Sequence, residues 1–390
     1  MKGTVLSRKR TARIALLALA TASATAGCSL FGGEEELDFS ANEDRLTDMY
    51  NESVRLTNEL DAAGDRIVQT CLEDRGFTVH SPDEFTDTTS DERDSFLSQP
   101  PYDSWLLTAD DAAVRGFWQW TSAEGAEEFF SDELWDLHDQ DIVAGLEDDG
   151  MGWMAEEFLG EADEPDSEFF ALSAEDQFAW YTAYMGEEWA TEHRGELIGV
   201  EHSEDDYTNP PLGGCELEMI EAVYGGVTAS ENDEEGWTEW TARPPAPVGD
   251  FEEIEARYLD GIADAEPDYL DCLDGRGWGR WEFAVGRLAV NEYLEAAGWG
   301  SAVASIAYGE GTWADPPEDV PAADDLEGWF AFETDMALNF SECGDETGYR
   351  DAAEHAWQQA QLGYYVDIED ETYAWQEEMK GYLETAQDLM

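Results

Sequence analysis

Positively charged residues are scarce in this sequence of 390 residues, which has 19 Lys and Arg against 93 Asp and Glu. The formal net charge is −74. Nucleic-acid-binding proteins neutralise phosphates with clustered Lys and Arg, so this scarcity excludes that class of protein. It also excludes a polybasic contact with anionic lipids.

Long hydrophobic runs are absent as well: no segment after residue 27 approaches the about 20 apolar residues that a membrane-spanning helix requires. Aromatic residues are plentiful, with 16 Trp, 15 Tyr and 17 Phe, and 42% of all residues are hydrophobic. Disordered acidic chains lack such aromatic residues. The composition therefore predicts a folded, strongly acidic protein.

Sequence signatures of common catalytic sites are missing too. The chain has no nucleophile elbow, no His-Glu-x-x-His motif and no phosphate-binding loop. With 93 acidic residues, close carboxylate pairs arise by chance, so they do not identify an active site. We predict no catalytic residue, no metal ligand and no cofactor.

The first 27 residues have the organisation of a secretory signal peptide. Five basic residues lie within the first thirteen positions, and an apolar run follows at 14–26. That run is too short to span a bilayer. Removal of residues 1–27 leaves 14 basic and 93 acidic residues, a net charge of −79, and Lys380 as the one remaining lysine.

The end of this segment, Thr25-Ala26-Gly27-Cys28, resembles the lipobox of bacterial lipoproteins, although the usual box has Leu where this chain has Thr25. The resemblance implies that Cys28 becomes the first residue and receives a thioether-linked diacylglycerol. The protein would then be anchored, through acyl chains such as palmitate, to the outer face of the bacterial cytoplasmic membrane. The alternative is ordinary cleavage that leaves Cys28 free.

A seven-residue motif occurs twice, as Cys-Leu-Glu-Asp-Arg-Gly-Phe at 71–77 and as Cys-Leu-Asp-Gly-Arg-Gly-Trp at 272–278. Its Gly fits the left-handed position after a helix, and its Leu and aromatic residue occupy the two positions that touch in a Schellman cap. Its Arg lies in the last turn, where a cation meets the negative helix end. The predicted cap residues are Leu72, Arg75, Gly76, Phe77, Leu273, Arg276, Gly277 and Trp278.

This repetition predicts a tandem organisation. Residues 243–250 are rich in Pro, which is typical of a stiff spacer. The predicted segments are a signal peptide 1–27, a lipidated tether 28–40, an acidic helical module 41–242, a Pro-rich linker 243–250 and a second helical module 251–390. The predicted fold class is mainly α, with two related helical modules in tandem, each closed by one disulfide, and minor β.

Four cysteines remain when Cys28 is set aside, and four cysteines allow three pairings. The duplication favours one disulfide within each half, Cys71–Cys215 and Cys272–Cys343. A space outside the cytoplasmic membrane permits such bonds. The chain has no Cys-x-x-Cys pair, so neither a zinc site nor a redox site is favoured.

Taken together, the lipobox, the motif at 71–77 and the sequence Gly-Gly-Cys-Glu at 213–216 resemble a group of uncharacterised actinobacterial secreted lipoproteins. The resemblance covers 56–226 loosely and the second half more weakly, because no Gly-Gly precedes Cys343. The group implies no activity and no catalytic residues.

We expect a lipid-anchored protein that binds or scaffolds at the cell envelope. One alternative is a cell-wall glycan hydrolase with a carboxylate pair in a Trp-lined cleft. Another is a surface protein that binds divalent cations weakly. The expected partners are the membrane, through Cys28, and an envelope protein, peptide or glycan, but no nucleic acid.

The lipid anchor can be tested by replacing Cys28 with Ser. We expect the wild type to sediment with membranes and to incorporate a palmitate analogue, whereas Cys28→Ser is released and unlabelled because the thioether cannot form. Fractionation of expressing cells, followed by detection of the label, measures both effects. An unlabelled wild type would contradict lipidation.

Overall fold

The computed structural model describes residues 37–85, 92–148, 167–200, 209–232, 237–249, 251–283, 286–299, 317, 320–322 and 324–390. The predicted signal peptide, Cys28 and most of the tether lie outside these residues. Residues Asp38–Met390 form one compact unit, to which every feature below belongs.

This unit is mainly helical, as the sequence predicts. Its first helices are α1 (Phe39–Asp74), α2 (Ala109–Arg115), α3 (Ala126–Phe129), α4 (Asp132–Asp148), α5 (Ala174–Met185), α6 (Glu187–Arg194) and α7 (Gly214–Val223). The later helices are α8 (Phe251–Ile262), α9 (Glu266–Gly275), α10 (Val290–Trp299), α11 (Leu326–Thr347), α12 (Tyr349–Asp367) and α13 (Glu369–Leu389). Short 3₁₀ turns lie at Gln119–Ser122 and Gly195–Ile198.

The minor β-structure is a hairpin. Strand β1 (Thr228–Asn232) pairs antiparallel with β2 (Trp237–Thr241), and the register aligns Thr228 with Thr241. Among the described residues, no helix combines the length and the apolar composition that crossing a membrane requires.

Helix α1, with 36 residues, is the longest element and extends for about 54 Å. It begins at Asp38, whose side chain caps the helix by accepting a hydrogen bond from the Ala41 amide at 3.3 Å. Its apolar residues recur at three- and four-residue steps, and Leu46, Leu56 and Leu60 are buried on that face.

Each copy of the repeated motif ends its helix in a Schellman cap. In the first copy the Phe77 amide donates to the Leu72 carbonyl at 3.0 Å, and Gly76 has a φ of 96°. In the second copy the Trp278 amide donates to the Leu273 carbonyl at 3.0 Å, and Gly277 has a φ of 86°. Left-handed backbone of this kind favours glycine, which explains the Gly of the motif.

Both disulfides favoured by the duplication are confirmed. Cys71–Cys215 joins the end of α1 to the start of α7, and Cys272–Cys343 joins α9 to α11. They close loops with sequence separations of 144 and 71 residues.

The described part of the Pro-rich segment, 243–249, lies against helices from both sides of the predicted boundary. The Trp375 indole donates to the Pro244 carbonyl at 3.0 Å, and the Tyr364 hydroxyl donates to the Pro247 carbonyl at 2.7 Å. Arg243 pairs with Asp61 of α1 at 2.8 Å. The division into two modules stays a prediction. These bonds connect the segment to helices of both predicted modules.

Helices from the two predicted modules also pack on each other. Helix α13 lies along α1, and α2 lies against α11. A buried hydrogen bond from the Gln376 side chain to the Met49 carbonyl, at 2.8 Å, joins α13 to α1. Arg350 of α12 donates to the carbonyls of Leu106 and Leu107, both at 2.8 Å, in the segment before α2. Such contacts leave buried carbonyls paired.

Loop length predicts how much each disulfide stabilises the fold. In the chain-entropy model, loops of 144 and 71 residues give about 5 and about 4 kcal/mol at most. We expect the Cys71→Ser/Cys215→Ser variant to lose about 0.6 kcal/mol more free energy of unfolding than the Cys272→Ser/Cys343→Ser variant.

Urea unfolding followed by circular dichroism measures this difference, and each double variant serves as the control for the other. A free energy of unfolding that is unchanged in both variants would contradict a stabilising role for the bonds.

Candidate functional site

An open groove of about 690 Å³ lies beside the start of α4. It is formed by the 3₁₀ turn Gln119–Ser122, the short helix α3 and the first two turns of α4. Gly125, with a φ of 87°, makes the turn into α3. The lining residues are Thr121, Ala123, Gly125, Ala126, Glu127, Asp132, Trp135, Asp136 and Asp139.

The groove is acidic, and none of the described residues that line it is basic. Four of its nine lining residues are carboxylates. Asp132 and Asp136 are one helical turn apart, and Asp139 follows at the next turn, so the three lie on one face of α4. The helix therefore presents closely spaced negative charges to the groove, where they attract cations.

Trp135 supplies the aromatic wall of the groove. Its ring packs on Trp120 at 5.4 Å and on His138 at 5.5 Å between ring centroids. Its buried indole nitrogen has no hydrogen-bond partner among the described residues. An indole beside carboxylates is an arrangement that binds ammonium and guanidinium groups through cation–π contacts.

The groove wall is tied to α11 by a buried carboxyl, Glu333. Its Oε1 accepts hydrogen bonds from the amides of Phe117 at 2.7 Å and Gln119 at 2.9 Å, and its Oε2 accepts one from Trp120 at 3.0 Å. Burial raises the pKa of Glu333 to about 8, although these amides and Arg115 act in the opposite direction.

A second cluster of carboxyls lies between α1 and α7. The pKa of Glu216 is raised to about 7 and that of Asp65 to about 6. Burial is the larger cause in both, and repulsion from nearby acids is the smaller one. Burial also raises the pKa of Asp61, against the opposing charge of Arg243. Arg243 donates in addition to the Tyr224 hydroxyl at 3.4 Å.

The cap arginines of the repeated motif act as structural bridges. Arg75 donates to the Ala183 carbonyl at 2.9 Å and pairs with Glu218 at 2.9 Å, so it joins α1 to α5 and α7. Arg276 pairs with Glu346 at 2.8 Å and so joins the end of α9 to α11. Neither arginine lies at the groove.

Other tryptophans form two contacting groups. Trp118 and Trp120 contact each other in the turn next to the groove, whereas Trp278 and Trp281 pack on Phe332 and Phe340 of α11. Among the described residues, no group of three His, Cys, Asp or Glu side chains is arranged to hold a metal ion.

The sequence does not single out Glu333 or Trp135. Glu333 is one of 93 acidic residues, and nothing local separates a buried carboxyl from an exposed one. Trp135 lies next to Leu134 in an apolar pattern that predicts a helix but does not indicate which face of that helix is exposed. The one sequence signal for Glu333 is its position inside the aromatic-rich segment 329–340.

Comparison with known proteins finds no matching family model, no matching curated protein and no matching solved structure. The resemblance to actinobacterial lipoproteins therefore rests on the motifs alone and stays a prediction.

The raised pKa values predict that stability falls as the pH rises. A group whose pKa is higher in the folded than in the unfolded chain contributes its full stabilisation at a pH below its unfolded pKa. That contribution is lost as the pH rises from the unfolded pKa through the folded pKa. For Asp65 and Glu216 this window extends from about pH 4 to about pH 7. We expect a loss of roughly 1–3 kcal/mol, since partial exposure screens both groups.

Urea unfolding at pH 4 to 8 measures this loss, and Glu216→Gln should reduce the slope. The matched control is Glu221→Gln, which removes one exposed charge from the same helix. Equal slopes in both variants would show that the cluster is not responsible.

Proposed function

We propose that the chain is a lipid-anchored, extracytoplasmic protein that binds a cationic partner at the groove beside α4. The signal peptide and the lipobox-like Cys28 support its location on the outer face of the cytoplasmic membrane. The charge of the chain and the lining of the groove support the class of partner.

The observation that carries the proposal is that the lining residues which the structure describes include four carboxylates and no Lys or Arg. Elsewhere, arginines neutralise carboxylates on facing elements: Arg243 pairs with Asp61, and Arg115 pairs with Asp141 at 2.9 Å.

Of the groove acids, Asp139 contacts the His138 ring at 3.0 Å, whereas no ion pair among the described residues involves Glu127, Asp132 or Asp136. A ligand with Lys or Arg side chains would provide counterions for these three.

The dimensions of the groove favour a peptide segment over a single ion. A volume of about 690 Å³ is within the range of small-molecule and peptide sites. The carboxylates are spread along two turns of α4, a spacing that suits consecutive basic side chains. We therefore propose a basic segment of another envelope protein as the partner.

A second candidate is the cell-wall glycan hydrolase. The helical repeat places the Cβ atoms of Asp132 and Asp136 about 5–6 Å apart, and Trp135 also lines the groove. This combination is the one that glycosidases use. However, the general acid of a glycosidase is usually shielded from water, and Asp132 and Asp136 are exposed.

Binding of a fluorescent decalysine peptide to the mature, full-length protein tests the first candidate. We expect Asp132→Asn/Asp136→Asn to weaken binding about 5- to 30-fold, since two attractions of roughly 0.5–1 kcal/mol each are lost. The matched control is Glu384→Gln/Asp388→Asn, which removes two exposed charges with the same spacing from α13.

Equal weakening in both variants would mean that the groove is not the site and that the peptide responds to net charge alone. Release of reducing ends from purified cell wall by the wild type, lost in the groove variant and kept in the control, would favour the hydrolase instead.

A further inference from the structure

A short segment of the chain, residues 92–99, lies across α1 and α12 and has neither helical nor strand structure; we call it the strap. Each hydrogen bond described between its backbone and these two helices involves a side chain of the helix. Most hydrogen bonds within a protein join two backbone groups instead. The strap is therefore held as a bound peptide is held, by the side chains of the surface beneath it.

Two carboxamides each bind both hydrogen-bonding groups of one strap residue. Asn51 of α1 accepts from the Arg93 amide at 2.9 Å and donates to the Arg93 carbonyl at 2.8 Å. Gln361 of α12 accepts from the Ser98 amide at 2.8 Å and donates to the Ser98 carbonyl at 3.3 Å. A carboxamide carries both a donor and an acceptor, so these pairs recognise a peptide backbone whatever its side chains are.

Two side chains of the strap add selectivity, because they lie on aromatic residues of the helices. Phe96 is 0% exposed, and its ring centroid lies 5.7 Å from that of Phe39 and 5.3 Å from that of Tyr365. The Arg93 guanidinium lies 4.9 Å from the centre of the Tyr50 ring, which is a cation–π distance. The surface thus fits an arginine that is followed three positions later by an aromatic residue.

The strap is attached less firmly than the segment that follows it. Phe96 is its one buried side chain, whereas Tyr102 and Trp105 are both buried a few residues later. Segments with few buried apolar contacts open locally at a lower free energy than the core does. The two helices also contact each other directly, through the rings of Tyr50 and Tyr365 at 6.3 Å, so the surface persists when the strap opens.

The uncovered surface would favour a second peptide. Gln361 is 0% exposed, and the described partners of its carboxamide all belong to Ser98 of the strap. A buried polar group without a partner is costly, and another peptide backbone would restore both of its hydrogen bonds. The strongly acidic chain also attracts a peptide that carries arginine.

We propose that this surface of α1 and α12 binds a peptide segment of a second protein with the pattern Arg-x-x-Phe, and that the strap occupies the surface as an intramolecular ligand which this partner displaces. The residues that carry the proposal are not among those that line the groove beside α4, so this site does not depend on the function proposed for the groove. The strap itself shows the chemistry of the partner: a backbone free to pair at two positions, a cation and an aromatic ring.

Binding of a fluorescent heptapeptide with the sequence of residues 93–99 to the mature, full-length protein tests the site. We expect Phe96→Ala, whose strap lacks its buried ring, to bind this peptide at least about tenfold more tightly than the wild type does, because the intact strap competes at a high effective concentration. The matched control is Phe170→Ala, which removes an exposed phenylalanine outside the strap and should bind like the wild type. No gain in Phe96→Ala would overturn the proposal.

Two further controls locate the binding. A peptide with Ala in place of its Phe should bind much more weakly, and Phe96→Ala/Gln361→Met, which keeps the size of the side chain but removes the carboxamide, should lose the gained affinity. Equal binding of the two peptides, or equal binding by the single and double variants, would overturn the site. A wild-type dimer in light scattering that Phe96→Ala abolishes would assign the surface to the strap of a second copy and overturn the partner.

The wild type alone provides a test that is valid even if the variants fail to fold. Amide hydrogen exchange is measured with and without an excess of isotope-labelled peptide, so that mass distinguishes the peptide from the strap. We expect the amides of Phe96 and Ser98 to exchange faster with peptide present, because displacement removes their bonds to Thr47 and Gln361. Exchange in α5 should not change. A strap whose exchange is unaffected by the peptide would overturn the proposal.

Discussion

Repulsion among carboxylates is the constraint on which the structure depends. After residue 27 the chain has 14 basic residues for 93 acidic ones, and several of these cations act where helices from distant parts of the sequence meet. Arg350 shows this use: it donates to two backbone carbonyls of the segment before α2 and pairs with Asp345 at 2.7 Å. Exposed ion pairs stabilise little, so the positions of these cations matter more than their number.

Burial of aromatic residues provides the stabilisation that ion pairs do not. Trp105, Tyr269 and Tyr349 are fully buried and form a cluster in which the rings of Tyr269 and Tyr349 stack at 4.6 Å. Trp105 comes from the first predicted module and the two tyrosines from the second. Each such side chain buries a large apolar area, and the disulfides add covalent closure of the chain.

The carboxyl groups of Asp and Glu have three different roles in this protein, and the surroundings of each group decide which role it has. Asp132 and Asp136 of the groove are exposed and remain available to a cation. Asp65 and Glu216 are half-buried beside other acids, so their ionisation opposes folding. Glu333 is fully buried and binds the backbone of the turn 117–120. Desolvation is the quantity that changes along this series.

Local patterns in the sequence determined the helical class, the two Schellman caps and, through the repeated motif, the pairing of Cys71 with Cys215 and Cys272 with Cys343, because each depends on neighbouring residues or on the duplication. Only the tertiary structure determined the groove and Glu333. The Phe117 amide and the Glu333 carboxyl are 216 residues apart, and no short-range pattern specifies such a contact. Among so many acidic residues, burial alone distinguishes the one that holds the turn, and burial is a property of the packed chain.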